Sequence, residues 1–252
     1  MRVPSGFLGI YIDPNEMRHY GPAYPGAEWG ELKHQFRSRT TADLHTLNAT
    51  ALGRDLLELI AKRHQGIGTN QSGVHRTVEI LFRPPSGPRG SSGAATGAMS
   101  EQDKHITEKN FGGRQFSFAG RGSRSKIRMH NGPESEAIYT QLAGVQTPTW
   151  IVLAHELIHA LHHLSGTTKT RTVVHPQADS NGVKEEELWT TGLAPYENTR
   201  LSENAIRREV NLPPRTHYYF EGDTTVFEPT PVHGINRRPG YWYCACLQEQ
   251  DH

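Results

Sequence analysis

The sequence predicts a single domain of α+β class, with a small mixed sheet and one long buried helix. The chain has 252 residues, a length typical of one domain that can bury its own core. Helical periodicity is clearest at residues 147–164, and short strand patterns precede it. Only 35% of the residues are hydrophobic and the mean hydropathy is −0.65, so we expect a thin core and much loop.

Helix and strand patterns divide the chain into short elements. Predicted helices carry apolar residues three or four apart and end near Gly or Pro; they lie at residues 46–64, 133–142, 147–164, 184–191 and 202–210. Predicted strands lie at 77–82, 116–118 and 125–130. Residues 1–40 are predicted to be irregular, and the tail from about residue 226 to be strand and loop.

The helix at residues 147–164 has the best-defined ends. Thr147 can cap its first turn, Pro148 fits that turn, and Gly166 can end it. Its buried stripe is predicted to consist of Trp150, Ile151, Ala154, Leu157, Ile158 and Leu161.

The composition argues against several classes of partner and location. The 27 basic and 26 acidic residues leave a net charge of +1, which argues against nucleic acid or an anionic membrane as the main partner. No apolar run approaches the ~20 residues that a membrane helix needs. The first residues lack the apolar segment of a signal peptide, so export would need another route. Two close cysteines, Cys244 and Cys246, are predicted to be free thiols.

The motif with the clearest chemistry is His155-Glu156-Leu157-Ile158-His159. Residues four apart lie on one face of a helix, so both imidazoles can bind one metal ion. Glu156 is turned by about 100° from His155, beside the place of a water molecule. In this zincin arrangement two histidines bind zinc and the glutamate is the general base. The bare motif arises by chance in roughly one random chain in fifteen, so its position in the clearest helix matters.

A catalytic zinc site with two histidines needs a third protein ligand. A histidine six residues after His159 would indicate a metzincin, but that position is Ser165, so this class is excluded. The run Glu185-Glu186-Glu187 begins a predicted helix and offers three carboxylates. Consecutive helical residues point about 100° apart, so at most one of them can bind directly. The residues alone leave open which one binds, and the more distant glutamates 197 and 203 are further alternatives.

The run from His155 to Gly166 resembles the zinc helix of the clostridial neurotoxin light chains, which also have a histidine at the place of His162. The run Glu186-Glu187-Leu188 is similar to their acidic helix, in which the second glutamate binds zinc and the first supports it. The resemblance therefore implies Glu187 as the third ligand and Glu186 as its support. The loop after Gly166 is shorter here than in those proteins.

A second motif of the same toxins is Arg-x-x-Tyr, whose side chains face the scissile carbonyl. Arg215-Thr216-His217-Tyr218 matches it, which implies that Arg215 and Tyr218 stabilise the transition state. Glu203 is a candidate to orient Arg215.

The chain also resembles the NleD-type effectors, compact zinc proteases that bacteria inject into host cells by type III secretion. The resemblance covers roughly residues 125–220 and is clearest in Tyr196-Glu197-Asn198, in residues 203–209 and in residues 212–218. It implies a zincin-like fold of gluzincin type and the activity of a zinc-dependent endopeptidase. The implied substrate is a host signalling protein such as a mitogen-activated protein kinase, cleaved in the host cytoplasm.

We therefore expect a zincin-like catalytic core and C-terminal tail at residues 111–252, and a variable region of the same domain at 1–110. Residues 84–104 of that region are predicted to be a flexible loop, because residues 84–100 are rich in Pro, Gly, Ser and Ala. The expected protein is a monomer with a protein substrate. An extended substrate peptide would pair with the strand at 125–130, taken as an edge strand. Two alternatives are a toxin-tip metalloprotease of a polymorphic toxin and a zinc hydrolase of a small amide or ester. A third is a binding protein with an inactive or structural zinc site. Glu156 argues against this third alternative, because such a site has no use for a general base.

Overall fold

The computed structural model describes residues 3–13, 26–66, 76–82, 94–100, 103–111, 114–132, 135–173 and 183–217. Tyr218, both cysteines, the predicted tail and residues 84–93 of the predicted loop lie outside these ranges. The helices are α1 (Gly26–Ala49), α2 (Ala51–His64), α3 (Ser135–Ala143), α4 (Thr149–Ser165), α5 (Glu185–Thr191) and α6 (Glu203–Glu209). The strands are β1 (Val3–Pro4), β2 (Ile10–Asp13), β3 (Val78–Phe82), β4 (Ala95–Ala98), β5 (Thr107–Phe111), β6 (Arg114–Phe118), β7 (Ser125–Met129), β8 (Thr172–Val173) and β9 (Val183–Lys184).

A mixed sheet with the order β1-β2-β3-β7-β4 forms one layer. Its three inner strands are parallel, and β1 and β4 join its two edges in antiparallel fashion. Alternate side chains of β3 and β7, including Ile80 and Ile127, are fully buried and belong to the same hydrophobic cluster as the helices. The sheet therefore has one apolar face, and α4 lies against β4 and β7 on that face.

Helix α4 lies at the centre of the molecule, flanked by α1 and α2. Apart from the partly buried Trp150, every residue of the predicted stripe is buried. Because α4 is covered on most sides, its polar residues are enclosed as well, and His155, Glu156 and His159 are all buried. None of the described helices combines the length and apolarity that a bilayer-spanning helix requires.

The two ends of α4 are held in different ways. Pro148, not Thr147, is the N-cap residue, and its apolar ring makes no hydrogen bond to the first turn. The Thr147 hydroxyl instead donates to the carbonyl of Val145 and accepts from Arg207, so the predicted cap is wrong. The C-terminal end follows the prediction, since Gly166 adopts φ 68° and ψ 29°.

A segment that leads into β7 closes the C-terminal end of α4. The Gly120 N–H donates to the carbonyl of Gly166, and the Ser123 N–H donates to the carbonyl of His163. Gly122 has φ 80°, and a Cβ atom there would overlap the carbonyl oxygen of Leu164. A Cβ atom on Gly166 would likewise overlap the carbonyl of Gly120, so this crossing requires glycine.

The first helix corrects the prediction of irregular structure at residues 1–40. Helix α1 begins at Gly26, and its buried residues include Phe36, Thr40, Leu44 and Leu47. These positions have helical spacing, but one of them is polar and the other faces are charged. Its amphipathic pattern is therefore weak, and packing against α2 and α4 stabilises it instead.

Strand β4 corrects two further predictions. Its residues 95–98 lie within the predicted flexible loop, yet they pair with residues 125–128 of β7. Strand β4 also contacts α4. The strand predicted at 125–130 is consequently not an edge strand, because β7 lies between β3 and β4. The edge strand next to α4 is β4.

Candidate metal centre

Three side chains from two helices converge on one point. His155 and His159 come from adjacent turns of α4, and Glu187 comes from the first turn of α5. Their facing atoms lie close together: Nε2 to Nε2 is 3.1 Å, His159 Nε2 to Glu187 Oε2 is 3.0 Å, and His155 Nε2 to the same oxygen is 3.5 Å. Zinc bonds of about 2.0–2.1 Å in tetrahedral arrangement put ligand atoms about 3.3 Å apart. The donor set and its spacing therefore fit zinc.

The opposite nitrogen of each imidazole contacts a carboxylate. His155 Nδ1 lies 2.9 Å from Glu203 Oε2, and His159 Nδ1 lies 3.1 Å from Glu186 Oε1. A proton shared with a carboxylate at Nδ1 leaves Nε2 as the metal-binding nitrogen and fixes the orientation of the ring. Both histidines therefore have the supporting partner that metal-bound histidines normally have.

The Glu203 carboxylate joins three cations or potential cations. Its Oε1 accepts from Arg207 Nε at 2.7 Å, and its Oε2 accepts from Arg215 at 3.2 Å as well as facing His155. Burial would raise the pKa of Glu203, but Arg215, His155 and Arg207 outweigh it and hold that pKa well below its usual value. Glu203 is therefore a permanent anion that links Arg215 to the metal-binding cluster.

Arg207 is fully buried and has a partner for each terminal nitrogen. Besides Glu203, it donates to the carbonyl of Gln146 and the hydroxyl of Thr147, each at 2.7 Å. It stands four residues after Glu203 on α6, so the helix itself sets their separation. Arg207 thus holds α6 against the start of α4 and places the Glu203 carboxylate beside His155.

Glu186 supports the other histidine from α5. Its Oε1 faces His162 Nδ1 at 2.6 Å, and its Oε2 accepts from the Lys169 N–H at 2.9 Å. The His162 ring stacks on Trp189, with ring centres 3.7 Å apart. His159, His162 and Glu186 also lie close enough to hold a metal ion. Because Glu186 already accepts from several donors, we interpret this group as hydrogen-bonded support for His159.

Glu156 lies beside the cluster and is only 3% exposed. Its Oε2 accepts from the hydroxyl of Thr96 on β4, with the two oxygens 2.5 Å apart. Burial is the main cause that raises the pKa of Glu156; the nearby His155 and His159 partly oppose it. A carboxylate with a raised pKa is suited to take a proton near neutral pH.

The charges around the cluster favour a cation within it. Burial would lower the pKa of His155, but Glu187 and Glu203 outweigh it and raise that pKa to about 9. Burial likewise opposes the raised pKa of His159, which Glu187 and Glu186 cause. Burial would raise the pKa of Glu187, but His159 and His155 hold it well below its usual value. The surroundings thus stabilise positive charge at the point where the three side chains meet.

The structure brings most of the sequence-predicted residues together. His155, Glu156, His159 and Glu187 are adjacent, and Arg215 joins them through Glu203. Of the three consecutive glutamates, Glu185 points elsewhere, to Lys169 Nζ at 3.4 Å and to the hydroxyl of Tyr196. Tyr218 lies outside the described residues.

Sequence reasoning missed two residues of the site, Thr96 and Arg207. The spacing of Glu203 and Arg207 on a predicted helix is a signal that could have indicated an ion pair. Thr96 gave no signal, because the small residues around it are typical of loops.

Comparisons with known proteins point the same way as the geometry. The family model Peptidase_M91, described as an effector protein, matches residues 29–218. This match begins well before residue 125, where the resemblance seen in the sequence started. A search of curated proteins gave no significant match.

Solved neurotoxin light chains are similar to the chain at low identity. The Clostridium botulinum serotype F light chain is 15% identical with a TM-score of 0.44, over 81% of this chain and 59% of that one. The botulinum type D light chain is 16% identical with a TM-score of 0.43, over 81% and 61%. This chain thus spans about three fifths of the length of these light chains. The family match and the mixed sheet with α4 on one face agree with the predicted α+β, zincin-like fold class.

Proposed function

This chain belongs to the Peptidase_M91 family of effector proteins, and on that premise we propose that it is a metalloprotease, a zinc-dependent endopeptidase that acts on a host protein. The observation that carries the proposal is the convergence of His155, His159 and Glu187 beside Glu156. A structural zinc site would have four protein ligands and no need for a neighbouring base, whereas a catalytic site has three ligands and one base.

His155, His159 and Glu187 are the residues proposed to hold zinc. Zinc bound there would supply a Lewis acid and would acidify a water molecule. Glu156 takes the proton of the attacking water and passes it to the leaving nitrogen of the peptide bond. Its burial beside two histidines keeps the carboxylate within reach of that water and away from bulk solvent.

Arg215 and Tyr218 are proposed to stabilise the negative charge that develops on the carbonyl oxygen. The contact of Arg215 with Glu203, which also faces His155, supports this role for the arginine. A guanidinium that is oriented before the substrate binds loses little entropy when it acts. Tyr218 follows three residues later and would add a phenolic donor.

The proposed substrate is an extended segment of a host signalling protein such as a mitogen-activated protein kinase. The edge strand that lies beside Glu156 is β4, so we propose β4, in place of β7, as the strand that pairs with the substrate. Delivery into the host cell by a type III system and a monomeric state belong to the same proposal.

The test compares wild type with Glu156→Gln and with Glu58→Gln, the same substitution at an exposed position on α2. Zinc content is measured in each protein, and mass spectrometry identifies the cleaved proteins in a host-cell lysate treated with each. We expect Glu156→Gln to keep zinc and lose cleavage, and Glu58→Gln to keep both. Loss of zinc in Glu156→Gln would make Glu156 a ligand, and full cleavage by that variant would refute the proposal.

A further inference from the structure

A threonine of the edge strand contacts the proposed general base. Thr96 lies in β4 opposite Ile127 of β7, so its side chain is on the sheet face that α4 covers, and it is 3% exposed. Its Oγ1 lies 2.5 Å from Glu156 Oε2 and 3.2 Å from the backbone carbonyl oxygen of Glu156. Among the described residues, Thr96 is the hydrogen-bond donor to this carboxylate.

We propose that Thr96 is a positioning residue, whose hydroxyl fixes the Glu156 carboxylate and joins it to edge strand β4. The proposal rests on the proposed function, because it assigns Glu156 the role of base. It also gives the residues around position 96, which have the composition of a loop, a specific task in the reaction.

The hydroxyl of Thr96 has one proton and two acceptors within reach. The carboxylate oxygen is both nearer and charged, and hydrogen bonds to charged acceptors are about twice as strong as neutral ones. The carbonyl of Glu156 in addition lies inside α4, where the helix supplies a donor. The proton therefore goes to the carboxylate.

Fixing one oxygen of a carboxylate also fixes the other. The terminal torsion of a glutamate is broad and roughly two-fold, so a free carboxylate turns easily. With Oε2 held by Thr96, rotation is restricted and Oε1 is the oxygen left to receive the proton of the water. Threonine is suited to this because its branched Cβ restricts the side chain to few rotamers.

The contact also couples the base to the strand that is proposed to receive the substrate. The position of Thr96 is set by the pairing of β4 with β7 from Ala95 to Ala98. A peptide that adds to the outer side of β4 would contact the same four-residue strand that holds Glu156. Correct placement of the peptide and correct placement of the base thus depend on one element.

The test uses the zinc-loaded full chain with Thr96→Val, which removes the hydroxyl at nearly constant shape, and Thr96→Ser, which keeps it. Thr77→Val is the matched control, since Thr77 is also a buried threonine, directly before β3, but its hydroxyl has no partner among the described residues. Thr96→Val should lower kcat about 10-fold with KM and zinc content unchanged, because only the orientation of the base is lost. Thr96→Ser should restore most of kcat, and Thr77→Val should leave it unchanged.

A second measurement needs no activity. Urea unfolding of the metal-free chain is followed for Thr96→Val, for Glu156→Ala and for the double variant. If the hydroxyl bonds the carboxylate, the double variant should shift the midpoint by less than the sum of the two single shifts. Additive shifts, or a Thr96→Val protein with the kcat of wild type, would overturn the proposal. Failure of the proposed function would be seen separately, as cleavage by Glu156→Gln.

Discussion

The three consecutive glutamates of α5 give a matched series that tests the ligand assignment. Replacing each in turn by glutamine removes one charge at constant shape. Glu187 is the one within 3.0 Å and 3.5 Å of the two Nε2 atoms, whereas Glu186 faces His159 Nδ1 and Glu185 faces Lys169. The loss of zinc affinity should therefore be largest for Glu187→Gln, smaller for Glu186→Gln and smallest for Glu185→Gln.

The size of each effect follows from these positions. Structural zinc sites with four protein ligands bind with about 10–16 kcal/mol, so one ligand carries about 2.5–4 kcal/mol, or about 10²–10³-fold in Kd. Loss of a supporting carboxylate typically weakens zinc affinity by about 10–100-fold. The Glu185 contacts are partly exposed, and such pairs are worth less than about 1 kcal/mol.

Competition with a chromophoric chelator at constant pH measures the three Kd values, and circular dichroism checks the fold of each variant. A larger loss for Glu186→Gln than for Glu187→Gln would reverse the ligand and its support. Normal zinc affinity in all three variants would refute the reasoning and move the ligand off α5.

Three further predictions concern other parts of the molecule. Burial raises the pKa of Asp43 from 3.8 to about 6, so the folded protein binds this proton more tightly than the unfolded chain does. The free energy of unfolding should therefore fall by about 3 kcal/mol as pH rises from about 3 to 7. Asp43→Asn should abolish most of that fall in urea unfolding; an unchanged slope would contradict the assignment. Arg207→Met should lower the free energy of unfolding by about 3–5 kcal/mol, because Glu203 stays buried with fewer partners; a loss below about 1 kcal/mol would mean that the pair contributes little. Tyr218→Phe should lower kcat by about 10²–10³-fold with zinc retained, and a normal kcat would leave this tyrosine a packing role.

The sequence predicts what depends on local geometry. Because residues four apart on a helix share one face, the pair His155 and His159 follows from the spacing once the helix is recognised. Strand β3, strand β7 and helix α6 were predicted close to their bounds for the same reason, since their periodicity and caps lie within the element.

The sequence does not predict what depends on packing between distant segments. Helix α1 has few apolar residues, and Phe36 and Leu44 are buried because α2 and α4 happen to cover them. Thr96 stands 60 residues from Glu156 and becomes a partner only when β4 joins the sheet. Arg207 similarly reaches Gln146 and Thr147 only when α6 packs against the start of α4.

The glycine crossing at the end of α4 has a consequence for mutational screens. Gly122 and Gly166 carry no reactive group, yet any side chain at either position would overlap a backbone carbonyl and push the end of α4 away from the segment that leads into β7. A screen scored on cleavage alone would therefore rank both glycines with Glu156. Scoring protein abundance alongside cleavage should separate them: we expect variants of Glu156 to accumulate as inactive protein and variants of these glycines to fold poorly and be lost.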